Sequence, residues 1–116
     1  MSEFVGYLSE VFRLLGPIRS RPMFGGHGIF YDGFMIGLVS DDVLYLKTDK
    51  DTLPMFEGRG LHPFEYVKNG KRMKMSYSLA PEEVFDDAEI AKTWATRAYE
   101  AAVRAKKRTA KPEKRR

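Results

Sequence analysis

Gly28-Ile29-Phe30-Tyr31-Asp32-Gly33-Phe34-Met35-Ile36-Gly37-Leu38-Val39 decides the fold class. Two apolar runs flank Asp-Gly, a dipeptide that accepts positive φ at both central positions of a type I′ turn, so the segment reads as a two-residue β-hairpin. Such a turn sets the register: Tyr31 faces Phe34, Phe30 faces Met35, Ile29 faces Ile36 and Gly28 faces Gly37. A second turn at Asp41-Asp42 carries the pairing on, with Val39 opposite Leu44 and Leu38 opposite Tyr45. Strict alternation then gives one face Phe30, Gly28, Met35, Gly37, Val39, Leu44 and Leu46, apolar and suited to the close approach of a helix. The other face carries His27, Ile29, Tyr31, Phe34, Ile36, Leu38, Tyr45 and Lys47. It is more aromatic and is expected to be half-covered or to meet a partner, with Tyr31, Phe34, Ile36 and Tyr45 as the candidate protein-interaction residues.

Working outward, Phe4, Leu8, Val11, Phe12 and Leu15 follow helical spacing, which predicts a helix over residues 3–15 with Ser2 as cap and Gly16-Pro17 as stop. Beyond the second turn, residues 50–60 read as short helical or irregular chain. Asn69-Gly70 then signals a third hairpin, setting Phe64 against Met75, Tyr66 against Met73 and Glu65 against Lys74. Asp86 and Glu89 resemble a capping box for a last helix of about Asp87 to Lys106, whose stripe is Ile90, Trp94, Ala98, Ala101 and Ala105. One helix, an antiparallel meander of about five to six strands and one long helix make an α+β domain over residues 1–106.

The 116 residues suffice for a single domain with its own core, and the absence of cysteine removes disulfides, thiolate metal sites and cysteine nucleophiles. No apolar run approaches the roughly 18 residues of a membrane span, and the N-terminus lacks signal-peptide character. A soluble, cytoplasmic protein without membrane contact is expected. The net charge of +4 is unevenly spread. Residues 1–103 hold 12 basic and 15 acidic residues, whereas residues 104–116 hold 8 basic and 1 acidic. Residues 107–116 read as a disordered basic tail.

No residue pattern points to catalysis. Gly25-Gly26-His27-Gly28 lacks the Gly-Lys-Ser/Thr and the following helix of a phosphate loop, and reads as a tight turn or bulge. His27 and His62 lie in separate hairpins, without the companions a metal or acid–base site requires. Asp41-Asp42 and Asp86-Asp87 are explained by a turn and a helix start. Neither a cofactor nor a metal is called for. The tail could neutralise phosphates, so weak, non-specific nucleic-acid contact is expected of Lys106, Lys107, Arg108, Lys111, Lys114, Arg115 and Arg116.

The run Arg21-Pro22-Met23-Phe24-Gly25-Gly26-His27-Gly28-Ile29-Phe30, with Asp32-Gly33 and Leu44-Tyr45-Leu46-Lys47-Thr48-Asp49, resembles the N-terminal domain of the TfoX/Sxy family. The likeness continues through Phe64-Glu65-Tyr66, Met75-Ser76-Tyr77 and the Pro81-to-Trp94 region. It covers about residues 3–103. The resemblance implies helices packed on an antiparallel sheet, similar to small secretion-chaperone and YgaC-like domains, which bind partners rather than turn over substrates. Arg21, Met23, Phe24, Gly25, Gly26 and Gly28 then form a structural family motif. Regulators of natural competence in this family act with a cyclic-AMP receptor protein at promoters and carry a second, C-terminal domain, where this sequence has its basic tail. The expected function is therefore a non-enzymatic protein-interaction module, in self-association such as a homodimer or with another protein, serving competence-type transcriptional regulation. The alternative expectation is weak nucleic-acid binding through the tail.

Overall fold

Each of the four hairpins turns on two residues held at positive φ, in the computed structural model that describes residues 3–110. The turn residues are Phe24-Gly25, Asp32-Gly33, Asp41-Asp42 and Asn69-Gly70. These turns join β1 (Arg19–Met23) to β2 (Gly26–Tyr31), β2 to β3 (Phe34–Ser40), β3 to β4 (Val43–Lys47), and β5 (Pro63–Lys68) to β6 (Lys71–Leu79). The helices are α1 (Glu3–Val11), α2 (Leu53–Glu57) and α3 (Ala88–Ala110), with a 3-10 turn at Glu82–Phe85. The α+β architecture is the expected one.

The six antiparallel strands run in the order β1-β2-β3-β4-β6-β5, a meander only as far as β4. The chain then crosses through α2, enters at the outer edge as β5, and returns through Asn69-Gly70 as β6 beside β4. Tyr66 faces Met73 and Glu65 faces Lys74 as expected. Phe64 does not face Met75, because the register shifts between Pro63 and Glu65.

A larger correction lies in the deciding hairpin. Tyr31 faces Phe34 and Phe30 faces Met35, but Ile29 faces Gly37 and Gly28 faces Leu38. Ile36 is an extra residue, a β-bulge that reverses the alternation of everything after it in β3. The two expected faces are thereby cut and rejoined. Ile29, Ile36, Val39, Leu44 and Leu46 share one core with Val5, Leu8 and Phe12 of the N-terminal segment and Trp94 and Ala98 of α3. Leu38, Phe64 and Tyr77, with Met35, Tyr45, Tyr66 and Met75, form a second cluster on the other face.

The helices settle where their small or apolar stripes allow. α1 is shorter than the predicted 3–15, because residues 12–15 tighten into i→i+3 bonds such as Leu15 N–H to Phe12 C=O (3.0 Å). Ser2, its expected cap, lies outside the described residues. Asp87, not Asp86, caps α3: its Oδ1 accepts from the N–H groups of Glu89 (2.8 Å) and Ile90 (3.3 Å), while Asp86 N–H closes the 3-10 turn on Glu83. α3 buries Ala91, Trp94, Ala95, Ala98, Ala101 and Ala102, alanines that let its backbone approach the sheet. It extends to Ala110, a turn past the expected Lys106.

Candidate interaction surfaces

The uncovered face of the sheet curls on itself. Phe24, in the β1–β2 turn, packs edge-on against Tyr66 of β5 with ring centroids 5.3 Å apart. β1 and β5 are the two edges of a six-stranded sheet, which laid flat would separate them by about 24 Å at roughly 4.8 Å per strand. Twist and coiling must therefore bring distant parts of the sheet together over this face. The curl buries Leu38, Phe64 and Tyr77, and leaves Phe24 37% and Met73 51% exposed at its rim.

The Phe24-Gly25-Gly26-His27-Gly28 run is the corner of this arrangement. Phe24 and Gly25 are the two turn residues, with φ of 52° and 76°. A left-handed backbone is unfavourable for an aromatic residue, so its ring contact with Tyr66 stands against a local cost of about 1 kcal/mol. At Gly26 a Cβ would fall 1.9 Å from the Val39 carbonyl oxygen, a contact with rigid backbone. At Gly28 it would instead meet the flexible sulfur of Met23 at 2.8 Å. Arg21 stacks its guanidinium over Phe30, 5.2 Å from the ring centroid. The motif residues Arg21, Met23, Phe24, Gly25, Gly26 and Gly28 thus build one hairpin and its packing.

The bulge separates the four expected interaction residues. Ile36 is 0% exposed beneath the helical layer. Tyr31 and Phe34 pack edge-on against Tyr99 of α3 at 5.1 and 5.6 Å, and Lys106 lies over Phe34. Tyr45 is on the opposite, curled face, against His62 and Phe64. They do not form one surface. Lys106, Lys107 and Arg108 occupy the last turns of α3, exposed, whereas Lys111, Lys114, Arg115 and Arg116 lie outside the described residues. Of the proposed basic tail, residues 107–110 are helical.

Partly buried polar groups tie α3 and the neighbouring strands into the frame. Arg104 donates from Nε to Asp49 Oδ2 (2.6 Å) and from a terminal nitrogen to Oδ1 (3.2 Å), while Asp49 Oδ1 also accepts the N–H groups of Asp51 and Thr52. The Arg104 hydrogen bond, opposed by burial, holds the Asp49 carboxyl down at about 2. This contact joins α3 to the β4–α2 connection across 55 residues, and no local pattern announces it. Burial pushes the Tyr77 phenol up to about 12 and draws the Lys47 ammonium down, Arg108 adding to the latter and Asp49 opposing it. Lys47 donates to Ser76 Oγ (2.7 Å) and lies 5.1 Å from the centre of the Tyr77 ring.

His27 pairs across β1 and β3 with Pro22 and Val39, and His62 rests against Tyr45. Among the described residues no cluster of His, Cys, Asp or Glu could hold a metal ion, and no helix is long and apolar enough to cross a membrane.

A second surface lies on the helical side. A cleft of about 410 Å³ is lined by Phe4, Val43, Leu44, Leu61, Ala80 and Phe85, with the exposed acids Asp42 and Glu82 beside it. Tyr7, 46% exposed, stacks on Phe85 at 6.5 Å and 17° between planes.

Residues 10–102 match the family described as the TfoX N-terminal domain. The DNA transformation protein TfoX1 of Aliivibrio fischeri (strain ATCC 700601 / ES114) is 35% identical over 63 residues. That match spans 54% of this chain and 30% of the relative's length.

Proposed function

The chain belongs to the TfoX N-terminal domain family, and from that premise we propose that it is a non-enzymatic protein-interaction module acting in competence-type transcriptional regulation. The observation that carries this reading is the apolar cleft between α1 and the 3-10 turn. Its walls include Phe4, Leu61 and Phe85, and the stacked, half-exposed Tyr7 extends it onto the surface. A partner inserting one large apolar side chain would bury ring surface that now faces water, and flanking basic groups would meet Asp42 and Glu82. The name of the Aliivibrio fischeri relative, a DNA transformation protein, supports placing the module in competence.

The test combines a gene deletion with complementation. Loss of the gene should change transcript levels of a defined set of genes. The wild-type chain should restore them, and Tyr7→Glu or Glu82→Lys should not, although both variants fold. Full restoration by both variants would remove the cleft from the account, and an unchanged transcriptome on deletion would remove the regulatory role.

A second reading, nucleic-acid contact through the C-terminal basic run, is favoured by the exposed Lys107 and Arg108 in the last turn of α3. Reversing the charge of Lys107 and Arg108 together with Lys111, Lys114, Arg115 and Arg116 should then abolish binding and its salt dependence.

A further inference from the structure

The curled face of the sheet has a charge pattern that composition conceals. Strand register places Arg19 opposite Phe30, Arg21 opposite Gly28, Lys47 opposite Tyr77, and Lys68 opposite Lys71 two residues beyond the Tyr66–Met73 pair. Since Phe30 pairs with Met35, and Met35, Tyr66 and Tyr77 belong to the curled cluster, all five basic residues belong to that face. The carboxylate within the strands, Glu65, pairs with Lys74 on the opposite face. Residues 1–103 carry more acid than base, yet the strand positions on this face carry only base.

We infer that this face is a stacking platform for single-stranded nucleic acid, with Arg21 and Lys68 contacting phosphates and Phe24 and Tyr66 receiving bases.

Three observations favour that ligand. Lys68 and Lys71 are like charges set directly opposite each other, an arrangement that disfavours the free hairpin, and among the described residues no carboxylate pairs with either. A phosphate between them would relieve the repulsion. Phe24 is held in a left-handed backbone at the rim, where its exposed ring forms an aromatic corner with Tyr66. Beside β1 runs a groove of about 660 Å³ whose lining includes Arg19, Arg21 and Phe30; Asp32 at its border already accepts the Tyr99 hydroxyl at 2.6 Å. Rings interleaved with cations suit a strand whose bases are free to stack. A duplex keeps its bases paired and stacked within a stiff cylinder that a curled face cannot enclose, and an acidic peptide offers the rings nothing comparable.

The experiment is fluorescence anisotropy of a labelled 12-residue oligothymidine with the full chain, at several salt concentrations, each variant being checked for its native circular-dichroism spectrum. Phe24→Asn keeps a residue that accepts the left-handed turn and should weaken binding about tenfold, with an unchanged salt slope. Arg21→Glu and Lys68→Glu should each weaken binding and reduce the logarithmic salt slope by about 0.7 or more. Lys92→Glu, a reversal of an exposed charge on α3 of the helical side, should leave binding unchanged. No binding at low salt would overturn the inference. So would binding that survives Phe24→Asn and Arg21→Glu but disappears when Lys114, Arg115 and Arg116 are changed to Glu, since the C-terminal run would then be responsible. Displacement by polyglutamate as effective as by unlabelled oligothymidine would also overturn it, by removing the role of the rings.

Discussion

One sheet presents two different surfaces. Its helix-covered face is aliphatic, closed by Phe12, Phe56 and Trp94, and locked at one end by Arg104 on Asp49. Its curled face is built of tyrosines, phenylalanines and methionines, with basic residues at both edges. The difference teaches which side carries stability. Burial on the covered face comes from side chains with no water left to meet, whereas the curled face closes only as far as sheet twist can bring its edges together.

Trp94→Ala tests the covered side with the largest effect. Trp94 packs edge-on against Phe56 at 5.1 Å and lies beneath Arg97, so its loss should cost about 3–5 kcal/mol in denaturant unfolding. A loss under about 1 kcal/mol would mean that the helical layer is not the main source of stability.

Asp49→Asn comes next, at about 2 kcal/mol near neutral pH. Because the folded carboxyl titrates at about 2 against an ordinary 3.8, its stabilisation is complete above about pH 4 and is lost as pH falls through 2. The gap between wild type and variant should therefore close over that interval. A gap that persists at pH 2 would assign the effect to something other than the ionised pair.

Ser78→Ala probes an imperfection of the covered face. Ser78 is fully buried, and its Oγ has no hydrogen-bond partner among the described residues, so removing the hydroxyl should be neutral or stabilising by up to about 1 kcal/mol. Clear destabilisation would show that the hydroxyl is bonded in solution.

Met73→Ala, on the curled rim, should change stability by no more than about 0.5 kcal/mol, since half of the side chain is already exposed. If it matched Trp94→Ala, the contrast between the faces would fail.

The turns were legible in the sequence because their chemistry is local: Asp32-Gly33, Asp41-Asp42 and Asn69-Gly70 all adopt the expected backbone. The bulge at Ile36 was not. Phe34 to Val39 is apolar at every position, so no alternation between polar and apolar residues fixes its register, and an inserted residue leaves either side plausible. That one residue moved Leu38 and Tyr45 away from Tyr31, Phe34 and Ile36, and so dispersed the expected interaction surface. The insertion of β6 between β4 and β5 and the Asp49–Arg104 contact depend on chain segments far apart in sequence. The basic character of the curled face was hidden for the same reason: that Arg21, Lys47 and Lys68 share one face follows only once the bulge and strand order are known.

The methionines provide the most direct test of the contrast between the faces. Met23, Met35, Met73 and Met75 belong to the curled face by register or contact, while Met55 sits in α2 beside the core residue Phe56. The measurement is a carbon-13 methyl spectrum of methionine-labelled full-length protein titrated with 12-residue oligothymidine. The Met23, Met35, Met73 and Met75 signals should shift along a common saturating curve while Met55 stays in place. Saturable binding that leaves those four unmoved, or moves Met55 alone, would contradict the assignment of this face.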